Sequence, residues 1–431
     1  MSATLPAGPP PTAEGRLPRG ISAFRHRNFR LFWGGQLISL TGTWMATVAQ
    51  AWLVLQLTDD PLALGVVAAA QFGPVLVLGL LGGVVADAVP KRRALIVMQA
   101  AMCFIAFVLA ALVATGVVQV WMVILLAGAL GIANAIEMPT RQAFVIEMVG
   151  RADVANAVAL GSAAFNGSRI IGPALAGLII ALLDVPAAFV LNGVSYLAAI
   201  GALVAIDPDT LHVPARRHLE RSLIAIGGQL GEGLRYVRDT STVLVPLAVL
   251  GLVATAGMNF QVLIPVMARD VLVVGSEGFG FLMAAAGVGS LSAALAIAFG
   301  LRLSRGLLLG GALGFGLCEV AFALSRSYPI SLLLMFGMGF GVIAIAATAN
   351  TTIQLTAPDH LRGRVMSVYV TVFAGSTPIG GLIAGSIASA SGAPAALLFG
   401  GIVSVAVGLG ALVATGGFRD RRVAALTDRR L

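Results

Sequence analysis

The chain has 431 residues, of which 58% are hydrophobic and 11% are charged. Soluble domains carry about 25% charged residues, so this composition excludes an ordinary soluble protein and indicates a surface largely in contact with lipid. The net charge of +8 would suggest a nucleic-acid partner if it were concentrated on a soluble domain. Here the basic residues are spread over short segments between apolar runs, so no nucleic-acid partner is expected.

Twelve apolar runs are each long enough to cross a bilayer, which takes about 20 predominantly apolar residues in a helix. The sequence therefore predicts an all-α membrane protein of twelve transmembrane helices. The predicted spans lie near 31–57, 61–86, 94–115, 119–138, 154–182, 186–206, 243–268, 276–300, 306–325, 329–350, 365–389 and 393–416.

The spans fall into two sets of six, which are separated by the one long polar segment. A repeated motif supports this division, because Ile-Gly-Pro-Ala-Leu-Ala-Gly at 171–177 recurs as Ile-Gly-Gly-Leu-Ile-Ala-Gly at 379–385, in the fifth span of each set. Connecting two parallel repeats is a sufficient role for the polar segment. The predicted units are an N-terminal leader at 1–30, a six-helix half at 31–206, a central loop at 207–242, a second six-helix half at 243–416 and a tail at 417–431.

The distribution of basic residues predicts the orientation of the chain. All but three of the 27 lysine and arginine residues lie in the tails or in the loops that the order of the spans places on the same side as the N-terminus. Cytoplasmic loops carry an excess of these residues, so both termini are predicted to be cytoplasmic. The three exceptions are Arg169, Arg269 and Arg326.

Polar residues within the spans are candidates for a substrate cavity, because such residues face protein or water rather than lipid. Gln36, Thr43 and Gln50 recur every seven residues in the first span and therefore share one face. Hydrogen bonding between helices, without contact to a ligand, is the alternative for that face. The fourth and seventh spans add Asn134, Asn259 and Gln261 to the candidates.

Three charged residues in or near the spans are candidate proton or charge sites. Glu137 and Arg141 are spaced i, i+4 at the end of the fourth span, where an ion pair and a titratable gate residue are the two alternatives. Arg169 lies about midway along the fifth span, where a charge is costly unless it is paired or hydrated. It is therefore either functional or part of a buried structural pair.

A short charged turn joins the second and third spans and contains Gly83, Asp87, Lys91, Arg92 and Arg93. Gly83 and Asp87 are four residues apart, so a helix places them on one face. The corresponding turn of the second half, near 302–305, has no carboxylate, which singles out Asp87. A local ion pair of Asp87 with Lys91 would make the turn passive, and a gate between the halves is the functional alternative.

This turn resembles the signature loop of the major facilitator superfamily, Gly-x-x-x-Asp-(Arg/Lys)-x-Gly-(Arg/Lys)-(Arg/Lys). Ala88 and Pro90 depart from the pattern. The residues that match it are Gly83, Asp87, Lys91 and Arg92.

The fifth span resembles the antiporter motif of drug exporters, with matches at Gly172, Pro173 and Gly177. A Gly-Pro pair in mid-helix also frees a backbone carbonyl and permits bending. The overall resemblance covers residues 22–416. Segments 41–45, 52–58, 61–65 and 138–142 are similar to the branch that contains the enterobactin exporter and multidrug or macrolide efflux proteins.

The resemblance implies proton-driven export of a drug-like or siderophore-like molecule, by rocking of the two halves about a midplane site. It implies a monomer in a bacterial inner (plasma) membrane, whose partners are a small-molecule substrate, protons and membrane lipids, with the proton gradient in place of a cofactor. Asp87 would be a latch of the outward-facing state, attracted by the N-terminal end of the eleventh span with Arg362 and Arg364. Glu319 lies in a scaffold helix of the family, so a hydrogen-bonded structural acid is expected there, with a proton site as the alternative.

Other activities are disfavoured by what the sequence lacks. The single lysine, Lys91, follows a proline, whereas a Walker A loop needs Gly-Lys-Ser/Thr. The four histidines have no metal-ligand spacing, so neither a metal site nor an enzyme is expected. An uptake carrier and a non-transporting sensor on the same fold remain as alternatives.

Overall fold

Thirteen α-helices make up the computed structural model, which describes residues 19–212 and 223–416, without the side chains of residues 19–20, 79–88 and 223–230. Within those ranges there is no strand. A turn of 3-10 helix at Arg19–Arg25 precedes the first helix, and a π-helical turn at Met267–Val271 follows the eighth. The helices are α1 Arg27–Leu57, α2 Pro61–Ala88, α3 Lys91–Ala114, α4 Val120–Leu183, α5 Val185–Val204, α6 Leu223–Asp239, α7 Ser241–Ala256, α8 Phe260–Val266, α9 Gly275–Ala298, α10 Arg305–Leu324, α11 Tyr328–Thr356, α12 Asp359–Ser391 and α13 Ala393–Ala414.

Eleven helical segments of the described chain are long and apolar enough to cross a membrane, with α7, α8 and the π-helical turn counted as one segment. The helix α4 has 64 residues, which corresponds to roughly 96 Å at 1.5 Å per residue. A hydrocarbon core is only about 30 Å thick, so α4 is too long for a single crossing. Gly150 interrupts it with φ 67° and ψ 178°, a conformation that is easy for glycine and costly for other residues.

The two parts of α4, called here the first arm (120–149) and the second arm (151–183), run in opposite directions. Along α1, successive residues contact lower-numbered residues of the first arm, so the first arm runs antiparallel to α1. Successive residues of α1 contact higher-numbered residues of the second arm, so the second arm runs parallel to it. The contacts are Phe32 with Phe144 and Gln36 with Arg141 for the first arm, and Trp33 with Leu160 and Thr41 with Ser168 for the second. Each arm is one crossing, so the predicted all-α fold of twelve spans is confirmed.

The helices alternate between two ends of the bundle, which we call the N-face, where α1 begins, and the distal face, where α1 ends. The two halves pack closely at the distal face through small residues. A Cβ atom added at Gly65 of α2 would lie 2.3 Å from the carbonyl oxygen of Gly381 in α12, and one added at Gly280 of α9 would lie 2.4 Å from that of Pro173. Such residues permit close approach of helices in a membrane.

Arg269 also joins the halves at the distal face. Its guanidinium donates to the carbonyl oxygen of Leu55 at 2.7 Å and lies 3.1 Å from Asp59, both near the end of the first predicted span. The Trp52 and Phe279 rings stack across the same boundary with centroids 6.2 Å apart. The distal face is therefore closed.

At the N-face the halves are separated by a cavity of about 990 Å³, called here the N-face cavity. Its walls are the start of α1, the end of the first arm and the start of the second arm, and α11 of the other half contributes Asn350 and Gln354. The conformation is closed at the distal face and hollow at the N-face.

Two segments differ from the predicted organisation. The polar stretch after the fourth span, predicted as a loop near 139–153, is helical apart from Gly150. The central loop predicted at 207–242 contains the helix α6. In both places the hydropathy pattern located the membrane crossings, whereas the backbone continues as helix beyond the apolar run.

Candidate substrate cavity and gate

The N-face cavity combines aromatic walls with amide groups. Its volume lies at the upper end of the range of ligand pockets, about 300–1,000 Å³. Phe32, Trp33 and Phe165 supply aromatic surface. Among the described residues that line it, Arg141 is the one ionised side chain. The amide side chains in the lining are Gln36, Gln142, Asn166, Asn350 and Gln354.

Arg141 connects the cavity to a buried acid. Its Nη1 donates to Gln36 Oε1 at 3.2 Å, and its Nε lies 3.4 Å from Glu137 Oε1, one helical turn away. Glu137 is only 4% exposed. The structure therefore brings three predicted residues together, with Gln36 and Arg141 on the cavity wall and Glu137 behind them.

The other candidates of the first span lie elsewhere. The Thr43 hydroxyl is 3.1 Å from the Tyr196 hydroxyl of α5, and Gln50 Nε2 donates to Gln71 Oε1 of α2 at 3.4 Å. These contacts bind helices of the first half to one another. In this conformation Thr43 and Gln50 therefore make hydrogen bonds between helices, which was the alternative to a place in the substrate cavity.

The candidates of the fourth and seventh spans also lie outside the residues that line the N-face cavity. Asn134 donates to the Leu130 carbonyl oxygen of its own helix at 3.0 Å. Asn259 is buried and donates to the Thr255 carbonyl oxygen at 2.9 Å, and Gln261 is half-buried.

Arg169 lies between α1 and α9. Its guanidinium carbon is 5.3 Å from the centroid of the Trp44 ring, a cation–π geometry in which the ring face attracts the charge. A Cβ atom added at Gly287 of α9 would lie 2.9 Å from the Arg169 carbonyl oxygen. The partner that the structure shows for this charge is thus an aromatic ring of the same half.

The motif of the fifth span forms close packing surfaces on two sides. A Cβ atom added at Gly172 would lie 2.6 Å from Trp44 Cβ in α1, and one added at Gly177 would lie 2.9 Å from the Ser276 carbonyl oxygen in α9. Pro173 contacts α9 at Gly280. In this conformation the motif brings the second arm against the other half at the distal face.

The charged turn is described only in part, because the side chains of Gly83 and Asp87 lie outside the described set. Lys91 pairs with Glu147 of the first arm at 2.7 Å. Arg92 donates to the carbonyl oxygens of Leu203 and Val204 at the end of α5, at 2.7 Å each. Arg93 is exposed.

The start of α12 also contacts its own half. Arg362 pairs with Asp359 at 2.6 Å and donates to the Gln354 carbonyl oxygen. Arg364 pairs with Glu232 of α6, a helix of the central segment that packs against α12 and is grouped here with the second half. In this conformation the described cations of the predicted latch are each held within one half, so the contact with Asp87 stays a prediction.

Two buried acids at the N-face were missed by the sequence reasoning. Glu147 accepts from Lys91, and Asp153 accepts from Ser22 at 2.9 Å and pairs with Arg25 at 2.6 Å. Asp153 lies in the segment 150–156, which aligns with 357–364 near the start of α12 when one residue is inserted, and this part of the internal repeat could have identified it. Glu147 has no such signal, because its partner is 56 residues away.

Glu319 of α10 differs from its prediction. It is 0% exposed between Gly257 and Gly400, and neither of its carboxyl oxygens has a hydrogen-bond partner among the described residues. The expectation of a hydrogen-bonded acid was therefore wrong. Gly257 and Gly400 offer no side-chain donor, and the neighbouring Ser404 hydroxyl donates to the Gly400 carbonyl oxygen instead.

Comparison with known proteins identifies the family. The sequence model of the family described as transmembrane secretion effector matches residues 19–417. The multidrug efflux pump Tap of Mycolicibacterium fortuitum is 32% identical over 371 residues, which is 83% of this chain and 88% of that protein. The staphyloferrin A transporter of Staphylococcus aureus is 24% identical over 369 residues, which is 82% of this chain and 88% of that protein.

Solved structures share the fold at low sequence identity. The nucleoside transporter NupG superposes with a TM-score of 0.72 at 11% identity, over 90% of this chain and 99% of that one. A bacterial homologue of the human lysosomal transporter Spinster, solved in an inward-facing conformation, gives a TM-score of 0.69 at 14% identity, over 91% and 96%. The predicted resemblance is confirmed: the chain belongs to the transmembrane secretion effector family of the major facilitator superfamily, and it is a multi-pass membrane transporter rather than an enzyme.

Proposed function

We propose that this transporter exports a drug-like or siderophore-like small molecule by alternating access, in exchange for protons. The observation that carries the proposal is the N-face cavity, which lies between two halves that are closed at the distal face. A molecule entering from the N-face would be held there until the halves rock to the opposite arrangement.

The N-face is the cytoplasmic side in this proposal. The excess of lysine and arginine in the loops on that side supports the assignment through the positive-inside rule. A cavity that fills from the cytoplasm and empties at the distal face gives export from the cell. The location would be a bacterial plasma membrane, in keeping with the bacterial relatives.

The cavity wall favours an amphipathic substrate. Aromatic side chains such as Phe32 and Phe165 offer apolar faces, while the amides and the Arg141 guanidinium offer hydrogen-bond donors. A planar lipophilic compound with one or two acceptor groups would use both. The names of the relatives, a multidrug efflux pump and a staphyloferrin A transporter, support drug-like and siderophore-like compounds as the substrate class.

Glu137 is the residue that we assign to the proton. It is buried and shares Arg141 with the cavity wall. Ionised Glu137 would hold the Arg141 guanidinium at the cavity wall, where it can donate to a substrate acceptor, and protonation of the acid would release that guanidinium. Proton binding and substrate binding would then oppose each other, as exchange requires. Protonation and substrate occupancy would thereby be linked at one guanidinium.

The proposal is tested by intracellular accumulation in efflux-deficient cells that express the protein. The panel contains ethidium, erythromycin and a catecholate siderophore, each measured with and without a protonophore. We expect lower accumulation of at least one compound, restored by the protonophore and by Arg141→Gln. The matched control is Arg151→Gln, an exposed arginine at the N-face, which should export normally.

Two other outcomes would contradict the proposal. Higher accumulation in expressing cells would indicate an uptake carrier. Saturable binding of a panel compound to the purified protein, without any change in accumulation, would indicate a sensor.

A further inference from the structure

A second cavity of about 270 Å³ lies at the N-face within the second half, between the starts of α7 and α10 and the ends of α11 and α13. It shares no lining residue with the N-face cavity. Six of its lining residues carry a hydroxyl group, so we call it the hydroxyl cavity, and Arg305 lines it as well. The hydroxyl residues are Ser241, Thr242, Ser304, Thr348, Thr352 and Thr415.

Two helix N-termini meet at the hydroxyl cavity. The helix α7 has 16 residues and begins at Ser241, and its N-cap residue Thr240 makes no side-chain cap hydrogen bond. The helix α10 has 20 residues and begins at Arg305, directly after Ser304. The first amide groups of a helix lack intrahelical acceptors and carry partial positive charge. The start of α7 therefore presents amide groups without a side-chain cap to this space, whereas at the start of α10 the Ser304 hydroxyl oxygen accepts from the Leu307 amide at 3.2 Å.

Thr348 gives independent evidence that the site takes a ligand. It lines the hydroxyl cavity and is 1% exposed, and its Oγ1 has no hydrogen-bond partner among the described residues. Buried hydroxyl groups without a partner are rare, because losing water without a replacement hydrogen bond costs about 1–3 kcal/mol. An acceptor bound in the cavity would supply the missing partner.

The lining of the hydroxyl cavity includes one cationic side chain. Arg305 is held in place by a 3.0 Å hydrogen bond from its Nη1 to the Thr415 carbonyl oxygen. All twelve lining residues are described, and none of them is acidic. Hydroxyl groups, helix N-termini and an arginine are together the groups that bind phosphate oxygens in proteins.

We propose that the hydroxyl cavity is a binding site for a phosphate group. Two sources share this chemistry, the headgroup of an anionic phospholipid and soluble inorganic phosphate. The site lies where the N-face ends of four helices meet, a position that both sources reach. The proposal is independent of the direction of transport and of the role of protons.

Occupancy would act on the N-face cavity through α11. Thr348 and Thr352 of this helix line the hydroxyl cavity, whereas Asn350 and Gln354 line the N-face cavity. A phosphate bound to the two threonines would therefore fix the end of α11 that forms one wall of the N-face cavity. The site is in this sense a regulatory contact as well as a binding site.

The test is binding to the full-length protein after delipidation in detergent. Phosphatidylglycerol, diacylglycerol of the same chains and inorganic phosphate are titrated separately, with bound lipid counted by native mass spectrometry and phosphate binding measured by calorimetry. We expect saturable binding of phosphatidylglycerol or of phosphate, weakened about tenfold by Thr348→Val and by Arg305→Gln, since a hydrogen bond to a charged group is worth about that factor. Arg302→Gln, an exposed arginine outside the cavity, should bind normally.

The lipid and phosphate titrations identify the source of the phosphate group, and two results would overturn the site. Binding of phosphatidylglycerol alone identifies a headgroup, and binding of inorganic phosphate identifies the soluble ion. Equal binding of phosphatidylglycerol and diacylglycerol, with no phosphate binding, would show recognition through acyl chains only. Equal affinity in the wild type, Thr348→Val and Arg305→Gln would place any binding elsewhere. Misfolding should not interfere, because Thr348→Val removes a hydroxyl that already lacks a partner.

Discussion

Arg141 lies between the wall of the N-face cavity and the buried carboxyl group of Glu137. The sequence predicted both residues from their i, i+4 spacing and their place at the end of a span. Gln36, which receives a hydrogen bond from Arg141, was predicted from a separate pattern in the first span. Their convergence was not predictable, because the contact joins residues 105 positions apart.

Replacing Glu137 by glutamine should separate transport from the proton gradient. The amide resembles the protonated acid in shape but cannot release a proton, so we expect substrate exchange across the membrane to continue while proton-driven accumulation falls at least tenfold. Both are measured in everted vesicles loaded with labelled substrate. Glu277→Gln, an exposed acid at the distal face, is the control. Full proton-driven accumulation in Glu137→Gln would exclude this residue as the proton site.

Replacing Glu319 by leucine should preserve or raise thermal stability. The carboxyl group is fully buried without a hydrogen-bond partner among the described residues, and an apolar side chain of similar size would remove a desolvation penalty of about 1–3 kcal/mol. Thermal unfolding in detergent measures the effect. A clearly lower Tm for Glu319→Leu would show that the acid makes a stabilising contact.

At the scale of elements, the distal contact of α2 with α12 depends on small residues. A methyl group at Gly65 would lie 2.3 Å from the Gly381 carbonyl oxygen, whereas Gly73 of the same helix has no heavy atom within 4 Å of an added Cβ, apart from its own helix backbone and chain neighbours. The glycines of α2 are visible in the sequence. The packing of the helices decides which of them contacts a neighbouring helix.

Gly65→Ala should therefore disfavour closure of the distal face, and Gly73→Ala should not. We expect a cysteine introduced at Ser162, in the N-face cavity, to be labelled several-fold more slowly in Gly65→Ala, because the halves would spend less time in the conformation described here. Maleimide labelling in native membranes gives the rates. Identical rates for the two alanine variants would show that this contact does not control the conformation.

The number of helical crossings could be predicted because each crossing needs its own apolar run. The continuity of α4 through residues 139–149 could not, since a helix that leaves the membrane loses the hydropathy signal while keeping its hydrogen bonds. Gly150 was visible in the sequence, but its positive φ became meaningful only with the two antiparallel arms. The helix α6 was missed for the same reason, because it lies in the polar segment between the two halves and has no membrane-length apolar run.

At the scale of the whole molecule, ionic contacts differ between the two faces. At the N-face the described pairs, such as Lys91 with Glu147 and Arg364 with Glu232, stay within one half. At the distal face Arg269 crosses from the second half to Asp59 and the Leu55 carbonyl oxygen of the first. This pattern is expected of a transporter that is closed only at its distal face.

Arg269→Gln should weaken distal closure and shift the population toward the opposite conformation. The control is Arg326→Gln, a distal arginine whose described bonds go to Ala323 and Ser325 of its own half. Spin labels placed at exposed distal positions of the two halves should show a larger fraction of long distances in Arg269→Gln only. Superimposable distance distributions for Arg269→Gln and the wild type would mean that this bridge does not hold the halves together.

The most direct test of proton-driven export is transport by the purified protein in liposomes with an imposed pH gradient. With an acidic lumen, exchange for protons predicts that the panel compound exported best by cells accumulates inside while the lumen becomes alkaline. A protonophore should abolish both changes. Accumulation only with an acidic exterior would show that substrate and proton move in the same direction, and it would contradict the proposed exchange.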